Sequence, residues 1–170
     1  HALGGVQDGL RVAGLASGSL QNEGRAAELF RRVVAKLEEQ NPAASIEYWP
    51  GVGETRIRYD FDRIHEAFEC LAENSLKHAS SGLGGVHMSL AVRNSRDGQA
   101  VVCHWSDDGP GIPEVEWERV FQPYRKYRSQ GAGLGLYIAR SIVTKHGGEM
   151  KVVEPASPPA STTLLGKPGT

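Results

Sequence analysis

Cysteine is scarce: Cys70 and Cys103 are the only two in 170 residues. Two are too few for a disulfide framework and have no metal-ligand spacing, so two reduced thiols are expected. Positive charge is not in surplus either. Nineteen Lys and Arg face 20 Asp and Glu, for a formal net charge of -1, whereas a nucleic-acid binder normally carries a basic excess. No apolar run approaches the roughly 20 residues of a membrane span. No secretory leader, repeat or low-complexity segment is visible. These absences predict a cytoplasmic domain with no nucleic-acid partner and no membrane contact. The length suits one domain with a short appendage.

Glycine, by contrast, is plentiful, and it is concentrated where it has chemical use. One turn reads Asp107-Asp108-Gly109-Pro110-Gly111-Ile112, and a second reads Gly131-Ala132-Gly133-Leu134-Gly135-Leu136. Between them lies Tyr124-Arg125-Lys126-Tyr127-Arg128. Glycine lets backbone N–H groups approach a ligand, and a helix N-terminus favours negative charge. Two such turns enclosing mobile cations suit a polyphosphate.

The chain in order predicts an α+β domain. Residues 1–21 hold a weak helical stripe broken by Gly4, Gly5, Gly9, Gly14 and Gly18, and are expected to be a linker or the end of a dimerisation helix. Asn22 would cap a helix to Gln40 on an apolar stripe of Ala26, Phe30, Val33, Val34 and Leu37. Strands are expected over Ser45–Trp49, ended by Pro50-Gly51, and over Thr55–Tyr59. Asp60 or Asp62 would cap a strong helix to Ala79. Val86–Arg93 and Ala100–Trp105 form a hairpin pattern. Residues 114–121 have room for one or two helical turns. Gly133–His146 reads as a helix ended by Gly147-Gly148, followed by strands at Met150–Val153 and Ser161–Leu165. Helices on one face of a mixed sheet result.

Within the helix after Asp60, Cys70, Asn74, Lys77 and His78 lie along one side. An amide, an ammonium and an imidazole there suit phosphates plus magnesium, which needs only one or two protein oxygens; a solvated helix face is the plainer alternative. One carboxylate of the Asp107-Asp108 turn can accept a hydrogen bond from an adenine amine, or can close an Asx turn.

In this order, the motifs resemble the ATP-binding domain of the gyrase, heat-shock-90, histidine-kinase and MutL superfamily, the Bergerat fold. Leu71–Ala79 is similar to its N box, Asp107–Ile112 to its G1 box, Val120–Tyr124 to its F box and Gly131–Leu136 to its G2 box. The resemblance is closest to the histidine-kinase branch and covers about residues 25–165.

That resemblance implies a two-layer sandwich with a short ATP lid, occupying residues 22–170. It implies that Asn74 holds Mg2+, with Lys77 and His78 near the phosphates and Glu73 as a weak candidate for proton transfer. Asp107 would read adenine while Gly109, Gly111 and Ile112 close on the base. Residues 113–130 would be the lid, with Arg125, Lys126 or Arg128 reaching the phosphates and Tyr124 also lining the nucleotide site. Gly131, Gly133 and Gly135 would wrap them, Leu134 and Leu136 would pack beneath, and Thr162 would lie near the adenine.

The hydrolysing branches carry a Glu one turn before the N-box Asn. Cys70 stands there instead, a poor general base, which suits transfer to a histidine rather than to water. None of the six histidines has the surroundings of a phosphoacceptor, so the acceptor is expected on a separate dimerisation domain of a longer parent. An aspartate of a response-regulator receiver domain would follow it. The competing expectation is a regulatory module of the same superfamily that senses ATP or ADP without transfer.

Overall fold

The computed structural model describes residues 9–13, 22–78, 85–124 and 133–154. Five strands form the main sheet: β1 (Gly9–Ala13), β3 (Ala44–Gly51), β5 (Val86–Asn94), β6 (Val101–Asp107) and β7 (Glu149–Val153). Their order is β3-β5-β6-β1-β7, with β3 and β5 parallel and the other neighbours antiparallel. Strands β2 (Asn22–Arg25) and β4 (Arg56–Tyr59) make a separate antiparallel pair. The helices are α1 (Ala26–Gln40), α2 (Phe61–His78) and α3 (Gly135–Lys145).

Alternation along the strands decides which face the helices cover. On β5, Met88, Leu90 and Val92 are buried in the core, as are Val101, Cys103 and Trp105 on β6. They meet Leu29, Phe30, Val33 and Leu37 of α1, Ile64, Phe68 and Leu71 of α2, and Ala139, Ile142 and Val143 of α3. Phe68 sits between Phe30 and Trp105, with ring centroids 5.7 and 5.9 Å away. The outcome is the expected α+β sandwich, with the helices on one face of a mixed sheet.

Three local expectations fail for identifiable reasons. Gly9–Ala13 is a strand, not a linker or helix end: it pairs with β6 on one side and β7 on the other. Ladders on both edges satisfy the backbone of a glycine-flanked segment that local propensity leaves undecided. Asn22 does not cap α1. It lies in β2, and its Oδ1 accepts the Phe61 N–H at 3.3 Å, at the start of α2. Strand β3 runs through Pro50-Gly51 instead of stopping there. It is an edge strand, where proline is tolerated. The expected strand Ser161–Leu165 lies outside the described residues.

Two chain reversals follow the sequence closely. The β5–β6 hairpin closes through Ser95 N–H to Ala100 O at 2.8 Å, with Gly98 at φ 71°. Asp60 caps α2: its Oδ1 accepts Arg63 N–H at 3.3 Å and its carbonyl accepts Ile64 N–H at 3.0 Å.

Candidate nucleotide site

Helix α2 buries one side and leaves the N-box stripe partly open. Leu71, Ala72 and Ser75 are buried, whereas Cys70, Asn74 and His78 are half-buried and Glu73 and Lys77 are exposed. Asn74 has no hydrogen-bond partner for its amide among the described residues, so that oxygen is available. Ser75 is the anchor on the other side: its Oγ accepts the Trp105 indole N–H at 3.0 Å. This bond ties the end of β6 to the helix position beside Asn74. This polar role of Ser75 was not read from the sequence; the signal was a serine one position after Asn74 and a tryptophan whose indole, once buried, needs an acceptor.

Two residues beyond Trp105 and on the same face of β6, Asp107 is 4% exposed. Its Oδ1 accepts Gly109 N–H at 2.8 Å. The Asx turn is therefore present, and it holds the carboxylate in place without consuming Oδ2. Asp108 turns the other way and exchanges contacts with His87, its N–H donating to the His87 carbonyl at 3.2 Å. Gly111 takes φ 85°, a conformation that only glycine adopts readily. Ile112 is partly buried against the core, and its carbonyl accepts the Trp117 indole N–H at 2.8 Å.

The described part of the stretch expected as a lid, residues 113–124, is folded against the domain. Residues Glu114–Glu116 and Arg119–Phe121 form short helical turns, and Val120 and Phe121 are buried. Arg140 of α3 lies 4.4 Å from the Phe121 ring centroid and 3.2 Å from Glu118, which fastens the F box to α3. Tyr124 has φ 60°, and its N–H donates to the Gly133 carbonyl at 3.1 Å. That bond brings together the two ends of the span between them. Arg125, Lys126, Arg128, Gly131 and Thr162 lie outside the described residues.

Gly133 has φ 74°, and half-buried Leu134 precedes the first residue of α3, Gly135. A Cβ on Gly135 would come within 3.8 Å of Cys70 Cβ, so the helix start rests against α2 one turn before Asn74. Leu136 is buried in the core. Two elements thus meet the same half of α2, β6 through Trp105 and α3 through Gly135, and the G1 turn continues from β6 two residues beyond Trp105.

Burial, reinforced by Glu73, Glu66 and Glu69, pushes the Cys70 thiol up to about 11. It stays protonated at neutral pH and cannot serve as a general base. Burial also pushes Cys103 far above its ordinary value. Among the described residues no group of three or more His, Cys, Asp or Glu is placed to hold a metal. A divalent ion at this site would take its one protein oxygen from Asn74 and the rest from phosphate and water, which fits magnesium. No helix among the described residues is long and apolar enough to cross a membrane.

The same architecture is found in solved histidine kinases. A mycobacterial sensor histidine kinase, MprB, superposes with a TM-score of 0.61 at 21% identity, covering 80% of this chain and 97% of that one. The catalytic domain of histidine kinase ThkA gives 0.60 at 23% identity, covering 77% and 91%. The fold is the one these histidine-kinase structures share. Residues 59–167 match the histidine kinase-, DNA gyrase B- and HSP90-like ATPase family, and this chain belongs to it. The adaptive-response sensory kinase SasA of Prochlorococcus marinus (strain MIT 9303) is 39% identical over 103 residues, 58% of this chain. The chain spans 27% of the length of that kinase.

Proposed function

We propose that this domain binds Mg-ATP between α2, the G1 turn and the start of α3, and that its parent protein is a cytoplasmic-facing sensor histidine kinase. The γ-phosphoryl would pass to a histidine on the parent's dimerisation domain and then to an aspartate of a response-regulator receiver domain. The observation that carries the reading is the convergence on α2. A buried, pre-oriented carboxylate (Asp107), a half-buried amide with no partner among the described residues (Asn74) and a helix N-terminus led by glycine (Gly133, Gly135) suit the base, the metal and the phosphates respectively.

Phosphoryl transfer depends chiefly on positioning and charge neutralisation. Magnesium, when bound, would be held by Asn74 and would offset the charge of the phosphates. The chain's own part is to hold: Asp107 orients the adenine, Asn74 supplies an oxygen, and Lys77 with Arg125, Lys126 and Arg128 supplies cations. The accepting imidazole provides the nucleophile; its nitrogen forms the new P–N bond as the bond to the β-phosphate oxygen breaks and ADP leaves. Glu73, exposed on the same helix end, is the acidic residue nearest Asn74 in sequence.

The protonated Cys70 thiol also favours a second reading, a domain that senses ATP or ADP without transferring phosphate. A filter assay with γ-labelled ATP and a supplied acceptor hairpin separates the two. Label on the hairpin supports the kinase, and binding without label supports the sensor. Asp107→Asn should weaken ATP and narrow its preference over GTP, because the asparagine oxygen can keep the Gly109 bond but lacks the charge that favours an amine. Undiminished discrimination between ATP and GTP in calorimetry would remove Asp107 from base reading.

A further inference from the structure

We infer that His146, the residue ending α3, is a positioning residue for the nucleotide site that sets how α2 lies along α3. The inference rests on the nucleotide reading above. His146 is 2% exposed. Its Nε2 accepts the Asp60 backbone N–H at 3.1 Å, and its Nδ1 lies 2.9 Å from the Ile142 carbonyl oxygen. A carbonyl can only accept, so Nδ1 carries the proton and Nε2 offers its lone pair. Both nitrogens are therefore in use, in one tautomer and one ring orientation.

The ring is fixed at both of its attachments. The His146 N–H closes on Ile142 and Val143 carbonyls at 3.1 and 3.0 Å, and Gly148 N–H reaches Val143 O at 2.9 Å across Gly147, whose φ is 77°. On the other side, Asp60 is the residue whose side chain and carbonyl cap α2. One imidazole thus joins the end of α3 to the cap of α2.

The opposite ends of the same helices carry the chemistry. Gly135 rests against Cys70, one turn before Asn74. The helices are consequently antiparallel, pinned by His146 at one end and facing the phosphates at the other. At about 1.5 Å per residue, the 11 residues of α3 put the pin about 16 Å from Gly135 along the helix. Packed helices shift as units rather than bending residue by residue. Loss of the pin therefore changes the spacing between Asn74 and the glycine turn, where the phosphates would be held. The base site at Asp107, anchored on β6, is left in place.

Calorimetric titration of this chain with Mg-ATP and with adenosine tests the inference on the parent sequence, His146→Leu, His146→Gln, His146→Asn and, as a core truncation away from the pin, Val33→Ala. His146→Leu should weaken Mg-ATP on the order of tenfold, the scale of one lost hydrogen bond, with adenosine changed by no more than about twofold. The Gln oxygen reaches the position of Nε2 and should restore most of the ATP affinity, whereas Asn, too short to accept the Asp60 N–H, should not. Parent-like ATP affinity in His146→Leu, parallel loss of ATP and adenosine, or the same selective loss in Val33→Ala overturns the pin. If His146→Leu does not fold, the Gln and Asn variants decide, and equal ATP affinity in those two overturns it. A parent chain that binds neither ligand refutes the nucleotide reading, and the inference with it.

Discussion

Gly135→Ala separates the two reasons a glycine can open a helix. The backbone of Gly135 is helical and does not demand glycine, and an added Cβ meets nothing closer than 3.8 Å, an ordinary van der Waals distance. Packing therefore permits alanine. Helix propensity favours it by up to about 1 kcal/mol, and for a chain of this size that corresponds to a rise of roughly 2–4 °C in Tm. If phosphate oxygens approach the N–H groups at the start of α3, the same methyl stands in their way, and Mg-ATP affinity should fall by about tenfold or more. Differential scanning calorimetry and titration on one preparation read both effects. Gly133→Ala is the contrast: at φ 74° an L-residue costs about 1–2 kcal/mol, so stability and affinity should fall together. Unchanged ATP affinity in Gly135→Ala would refute the placement of phosphates at this helix start. A drop of several degrees in its Tm would show that the glycine serves packing instead.

Asn74→Ala should abolish magnesium-dependent ATP binding while moving stability by less than about 0.5 kcal/mol, since the amide has no partner among the described residues; a titration matching the parent would contradict it. Ser75→Ala leaves the buried Trp105 N–H without its acceptor and should cost about 1–3 kcal/mol, read by denaturant unfolding; a loss near zero would show that the indole finds another partner. Burial holds His65 below its ordinary 6.5, reinforced by Lys36 and opposed by Asp62 and by Glu69, 2.8 Å from Nδ1. The unfolded chain then binds the proton first, so this contribution is complete above 6.5 and is lost as pH falls through the lower folded value. His65→Leu should flatten the fall in Tm below about pH 6.5, and an unaltered slope would assign the dependence to other groups.

Long amphipathic stripes survive translation from sequence to structure because each buries a face whichever neighbour it meets. Those of α1 and α2 are recognisable residue by residue, and so is the β5–β6 hairpin, whose turn is closed by its own serine, aspartate and glycine. Membership of the family was legible for a related reason: each of its motifs is a short run of residues, and their order along the chain is distinctive. Short segments were not legible. Gly9–Ala13 has too few residues to declare a period, and Asn22 looks like a helix cap until the second strand carries it to a different helix.

What the amino-acid sequence determined by itself was the class of domain, because its glycine turns and polar helix stripe are short runs of residues in one distinctive order. Only tertiary structure decided what holds those parts in relation to one another. The Trp105–Ser75 bond, the contact of Gly135 with Cys70 and the His146 bridge to Asp60 each join residues 30 or more positions apart. Hydrogen bonds and packing act through space, and no spacing along the chain announces them.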